Sequence, residues 1–146
     1  MCGPATKEDD PETVAFFRKA QGDFYRYMCE VASGDERKNA REKALECYNK
    51  ANEVKLNPAC GVKLDIALGL SVYTSDILKN IEEAIKIGQK ALTDASDKTE
   101  ELEGDKLKES KFKLDVLKDN VQMWKSHLED IRNFEEQKQL EQEMIE

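Results

Sequence analysis

Apolar residues in this chain return at every third or fourth position, segment after segment, and that spacing belongs to the α-helix rather than to an alternating strand. Val14, Phe17, Phe24, Met28 and Val31 recur in this way, and Ser33-Gly34-Asp35 closes the segment with a glycine and a fresh N-cap, so a first helix is expected from about Glu12 to Ala32. A second is expected from about Asp35 to Leu56, with Ala40, Ala44, Cys47, Ala51 and Val54 on one face and Asn57-Pro58 ending it. Leu64, Ala67, Leu68, Ser71 and Leu78 mark a third, ending near Lys79-Asn80. Ile81, Ala84, Ile85, Gly88, Ala91, Leu92 and Ala95 mark a fourth. The polar stretch from Ser96 to Asp105 reads as a loop. Beyond it Leu107, Leu114, Leu117, Val121, Trp124, Leu128 and Ile131 keep a nearly heptad rhythm, which predicts one long final helix or two in line.

The expected fold class is therefore all-α, built of antiparallel helical hairpins joined by short turns, with an extra helical extension at the C-terminus. Residues 1–11 read as a polar linker, 12–126 as the helical domain and 127–146 as an acidic helical tail. Ala44, Tyr48 and Ala51 followed by Pro58 echo the rhythm of a tetratricopeptide repeat, but the period is not sustained.

Composition agrees: 37% of residues are charged and 39% apolar, with three prolines and seven glycines, and 146 residues suit one hydrophobic core. The net charge of −8 argues against nucleic acid or an anionic membrane surface as partner, since both need a broad positive field. Cys2, Cys29, Cys47 and Cys60 form no C-x-x-C pair and are expected as reduced thiols. The polar, acidic start predicts no signal peptide, Cys2 after Met1 leaves no glycine for myristoylation, and the longest apolar run, Ile66 to Leu70, is too short to span a bilayer. A cytoplasmic location is the expectation.

Little in the chain suggests catalysis, a cofactor or a metal. His127 is the single histidine and has no second ligand at helical spacing. The carboxylate pairs Glu82-Glu83, Glu100-Glu101, Glu129-Asp130 and Glu135-Glu136 fall on polar faces, without the burial that acid/base work requires. Gly22, Gly69, Gly88 and Gly104 compose no phosphate-binding loop.

Two helical stripes suggest binding instead. Lys19, Gly22 and Arg26 lie on one stripe of the first helix, with Tyr27 beside Arg26. Arginine offers a planar fork matched to phosphate oxygens, tyrosine a hydroxyl, and glycine a place where a ligand backbone can come close. An ordinary surface arginine beside a half-buried tyrosine explains the same residues. On the last helix Phe112, Val116, Asn120 and Met123, flanked by Lys113 and Trp124, form a second stripe apart from the core positions Leu114, Leu117, Val121 and Leu128. An amide at Asn120 can pair with both the N–H and the C=O of an extended peptide, or simply fill a gap in the packing.

Gly22-Asp23-Phe24-Tyr25-Arg26-Tyr27-Met28-Cys29-Glu30 resembles the G-D-Y-Y-R-Y-L-A-E signature of the 14-3-3 proteins. In the same order, VKLDIALGLSVYTSDIL (Val62 to Leu78) resembles that family's L-A-L-N-F-S-V-F-Y-Y-E-I-L helix, and VLKDNVQMW (Val116 to Trp124) its L-L-R-D-N-L-T-L-W. The resemblance runs from about Val14 to Trp124 and corresponds to the C-terminal five of the family's nine helices. It implies an amphipathic groove that holds phosphoserine or phosphothreonine segments in extended form, in a signalling adaptor without enzymatic activity. By position, Arg26 and Tyr27 would contact the phosphate and Lys19 would line the groove nearby. Asn120 would hold the ligand backbone, Leu68, Val116 and Trp124 would line the apolar side, and Asp76 stands where the family has a groove glutamate.

The resemblance also carries departures. Gly69 replaces a second groove amide, Lys113 takes an apolar position beside Phe112, and Thr74 and Ser75 replace two tyrosines. The lysine and arginine that complete the family's phosphate pocket belong to an earlier helix, as do its dimer contacts. Phe17, Phe24 and Met28 are accordingly expected to be short of neighbours. Either the tail folds back through Leu128, Ile131, Phe134 and Leu140 to cover them, or a second chain does so by self-association or by supplying the earlier helices.

Overall fold

The computed structural model describes residues 10–145. Five α-helices follow one another: α1 (Pro11–Val31), α2 (Gly34–Glu53), α3 (Gly61–Asp76), α4 (Ile81–Ala95) and α5 (Gly104–Ile145), with a 3₁₀ turn at Thr99–Glu101 before the last. The described residues contain no strand. Each helix packs on the next, except that α3 also touches α1 on one side and α5 on the other, so α1, α3 and α5 stand in a row with α3 central.

Local chemistry sets most boundaries. Pro11 occupies the first turn of α1, where its missing N–H costs nothing. Gly34 takes a left-handed φ of 60° between α1 and α2, as the sequence led one to expect. The Asn80 side chain caps α4 by accepting from the Glu83 N–H at 3.1 Å. Helix α2 stops at Glu53, short of the expected Leu56, because Val54 is extended and both Val54 and Leu56 pack against Ala15, Ala51 and Ile66. The Asn57 side-chain oxygen then accepts from the Ala59 N–H at 2.8 Å, turning the chain into α3.

The core runs from one end of the row to the other. Cys29, Ala40, Ala44, Tyr48, Tyr73 and Ile77 pack where α1, α2 and α3 meet. Ala59, Leu64, Ala95, Leu114 and Leu117 fill the middle, and Ala84, Ile85, Val121 and Trp124 join α4 to α5. Where α1, α2 and α3 meet, Ala40, Ala44 and Ala51 of α2, Gly22 of α1 and Gly69 of α3 keep the facing surfaces small around Tyr48.

The final segment is one uninterrupted helix, one of the two forms expected for it, and it runs through positions 126 and 127. Its tail does not fold back: Phe134 is 64% exposed, and Leu140, Met144 and Ile145 are exposed with it. A continuous helix with no glycine or proline after Gly104 has no break at which to reverse, and the apolar residues of the tail are scattered among charged and polar ones. Phe17 and Phe24 are exposed as expected, while Met28 is half-buried against the core. Cys29, Cys47 and Cys60 are free thiols; Cys2 and the linker as far as residue 9 lie outside the described residues.

Candidate functional site

Helix α1 is two-faced. Ala15, Gly22 and Cys29, seven residues apart, are buried toward α2 and α3. Phe17, Ala20, Phe24, Tyr27 and Val31 point outward on the opposite side and are exposed. Between these faces run Lys19, Asp23 and Arg26. Lys19 Nζ lies 2.6 Å from Asp23 Oδ2, and Arg26 Nη2 lies 3.5 Å from Asp23 Oδ1. Arg26 Nε donates to the Tyr48 hydroxyl at 3.2 Å, and that hydroxyl donates to Asp23 Oδ1 at 2.6 Å.

The two cations foreseen for anion binding are thus brought together, with a carboxylate between them. Burial alone would lower the pKa of Arg26, but Tyr48 and Asp23 beside it outweigh that and raise it, so the guanidinium stays charged. Burial, then the hydrogen bond to Asp23, pushes the Tyr48 phenol well up, so it is present as the neutral donor.

Tyr27 takes no part in this network. It is 59% exposed, belongs to the outward stripe, and its hydroxyl has no hydrogen-bond partner among the described residues. Successive helical residues diverge by about 100°, which separates neighbours in sequence. Nor does Gly22 offer a ligand room to approach: a Cβ there would lie 2.7 Å from the Tyr48 ring. Its backbone is close to a side chain of the same chain, which corrects the reading of it as an opening.

Across α3 the second set of residues lies on α5. Lys113 Nζ holds Asp65 Oδ2 and Glu109 Oε1, each at 2.6 Å, joining α5 to α3. Burial disfavours its charge, yet the two carboxylates prevail and raise its pKa. Val116 and Asn120 are half-buried on the same stripe, the Asn120 amide having no partner among the described residues, and Phe112 is exposed. Leu68 packs against the middle of the core. Trp124 is only 5% exposed, its ring among Ala84, Ile85 and Val121, so it backs the stripe from behind rather than presenting a face. Asp76 sits exposed at the far end of α3, ~16 Å along the helix from Asp65, beside a shallow cleft that Arg37 and Lys79 also line.

Sequence reasoning did not assign Tyr48, Asp23 or Asp65. Asp23 was detectable, because it lies four residues after Lys19 and three before Arg26, the spacing of helical ion pairs. Tyr48 was not, since an aromatic among alanines on a buried face reads as core. No three His, Cys, Asp or Glu side chains converge to hold a metal among the described residues, and no described helix is long and apolar enough to cross a membrane.

Comparison with known proteins gives the site a setting. Residues 3–125 match the family model described as 14-3-3 protein. The chain is 35% identical to 14-3-3-like protein 2 of Caenorhabditis elegans over 118 residues, covering 79% of this chain and 48% of that protein. It is 38% identical to 14-3-3-like protein GF14 epsilon of Arabidopsis thaliana over 120 residues, covering 80% and 47%. With 14-3-3 protein zeta of Bombyx mori it shares 33% over 123 residues, covering 82% and 50%. The chain spans about half the length of these relatives.

Proposed function

The chain belongs to the 14-3-3 protein family, and on that premise we propose that it is a signalling adaptor that holds phosphoserine or phosphothreonine segments in extended form and catalyses nothing. The observation that carries this reading is the pairing of Lys19 and Arg26 about Asp23 on the edge of α1. A phosphate carries nearly two negative charges and three acceptor oxygens, against one charge on Asp23, so it competes well for both cations. Arg26 and Lys19 bind the phosphate, and Tyr27 adds its free hydroxyl from the outer rim. Asn120 holds the peptide backbone, with Leu68, Val116 and Phe112 as the apolar wall, Trp124 behind it, and Lys113 and Asp76 as charged margins.

In this reading the domain is residues 12–126, the tail 127–146 is accessory, and the site works in the cytoplasm, without nucleic acid or membrane as partner. The basic residues that complete the family's pocket lie in a part of the family that this sequence does not span. At roughly 1.5–3 kcal/mol for each charge-assisted hydrogen bond, two fewer such bonds weaken a phosphopeptide by about 3–6 kcal/mol, or roughly 10² to 10⁴ in affinity.

A labelled phosphoserine peptide and its unphosphorylated twin, titrated against the protein and against Arg26→Ala, test the proposal. Preference for the phosphorylated twin, abolished in Arg26→Ala, is the expected result; equal binding of the twins rejects it. One observation favours a second reading, a phosphate-independent interaction module: Phe17, Phe24, Tyr27 and Val31, on one outward stripe, are each more than half exposed. Under that reading the twins bind alike and Phe24→Asp abolishes both. Self-association, or a chain that supplies the earlier helices, is the cover proposed for this stripe.

A further inference from the structure

Tyr48 belongs to neither binding stripe, yet α1 and α3 both close on its ring. It projects from α2 and is fully buried. A Cβ on Gly22 of α1 would lie 2.7 Å from the ring, and one on Gly69 of α3 would lie 2.8 Å from it and 3.2 Å from Asp23 Oδ1. The ring therefore occupies a slot that two glycines leave open. The same slot accounts for Gly69, where the family resemblance expects an amide: any side chain there runs into the Tyr48 ring and the Asp23 carboxylate.

The hydroxyl of this ring is placed between two opposite charges. Its single proton goes to Asp23, since a carboxylate only accepts, and its lone pair then receives the Arg26 Nε–H. A guanidinium and a carboxylate three residues apart on a helix are within reach of each other, and a two-bond fork between them would engage the donors that an anion would use. Here the direct Arg26 Nη2 to Asp23 Oδ1 separation is 3.5 Å, and the short bonds of Asp23 run to Lys19 and to Tyr48 instead. Only the Nε of Arg26 is firmly engaged, and Nη1 has no partner among the described residues.

We propose that Tyr48 is a positioning residue, a neutral spacer that keeps Asp23 from closing a two-bond fork on Arg26 and so leaves Nη1 open, and Nη2 only loosely held at 3.5 Å, for the incoming anion. The anion part of this rests on the phosphate-binding reading above; the spacer part does not. Tyr48→Phe removes the oxygen and keeps the ring, so the fold has every apolar contact it had, while Arg26 and Asp23 are left to close on each other.

The test uses the whole chain and two readouts. In the first, the arginine Nε–H signal identified by its loss in Arg26→Lys is followed by nitrogen-15 NMR. It is expected to shift on Tyr48→Phe, as its acceptor changes from a phenol to a carboxylate, and to stay put on Tyr73→Phe. An unshifted signal overturns the spacer whatever the peptide does. In the second, the phosphoserine peptide is titrated against Tyr48→Phe, Asp23→Asn and the double variant. Tyr48→Phe is expected to weaken binding about tenfold and to have almost no effect when Asp23→Asn has already removed the competing charge. An equal loss in both backgrounds means that Tyr48 acts through packing alone and overturns the proposal. If Tyr48→Phe does not fold, Asp23→Asn decides by itself: tighter phosphopeptide binding supports the competition on which the spacer acts, and weaker binding overturns it. A shifted Nε–H signal in a protein that never prefers the phosphorylated twin leaves the spacer standing and rejects the phosphate reading instead.

Discussion

Tyr48 and Tyr73 each make the folded protein sensitive to alkali. Their rings lie 5.8 Å apart in the core, and the Tyr73 hydroxyl donates to the Arg41 carbonyl at 2.7 Å. Burial pushes the Tyr73 phenol up to about 12, and Tyr48 is raised further by burial and by Asp23. An unfolded tyrosine ionises near ~10, so each phenol contributes stability that is intact below that pH. The contribution falls as pH rises toward the folded value, because the unfolded chain then releases protons that the folded one retains. Thermal unfolding is accordingly expected to be nearly flat up to about pH 10, as far as these two groups are concerned, and to fall between about 10 and 12. Tyr73→Phe should flatten the decline, and phenolate absorbance should show the two phenols ionising late. Replacing the Tyr48 ring itself is a different matter: Tyr48→Ala empties a slot walled by backbone and is expected to cost about 3–5 kcal/mol in a denaturant titration.

Helices α1 and α3 approach α2 as closely as they do because Gly22 and Gly69 have no side chain on the facing side. In an exposed helix interior, glycine to alanine stabilises by up to ~1 kcal/mol. At Gly22 the new methyl would lie 2.7 Å from a ring that is packed on all sides, so overpacking wins, and Gly22→Ala is expected to lower stability by about 1–3 kcal/mol in the same titration. A stability gain would show that α1 shifts outward freely. Helix α1 was legible as a helix from its spacing alone, and so were the other four. What its spacing did not reveal was direction, because α1 carries apolar residues on two opposite sides. Ala15, Gly22 and Cys29 turn inward while the larger Phe17, Phe24 and Tyr27 turn outward, the reverse of what side-chain size suggests. Close packing against α2 and α3 requires small residues at the contact, and that requirement belongs to the partner helices.

Across the whole molecule, the row of helices ends at α5, whose last turns leave the body and make no cover for any apolar surface. Deleting Phe134 to Glu146 is therefore expected to leave the unfolding free energy within about 0.5 kcal/mol of the intact chain while lowering helical signal in circular dichroism. A marked loss of stability would mean that the tail does cover the body. Amides beyond Arg132 should exchange quickly, since an unsupported helix of this length is marginal in water. The outward stripe of α1 poses the larger question at this scale, and light scattering with Phe24→Asp settles whether a second copy covers it: a dimer that dissociates in the variant supports self-association. The residues alone determined that five helices form, roughly where each begins and ends, and that Lys19 and Arg26 share a stripe, because helical periodicity and capping are local and act within a few residues. Only the packed structure decided that Tyr48 stands between Arg26 and Asp23, that Trp124 turns inward and that the tail beyond Arg132 stays apart. Those outcomes depend on groups that are 20 or more residues away in the chain, or on space left by a neighbouring backbone, and no spacing along one helix records them.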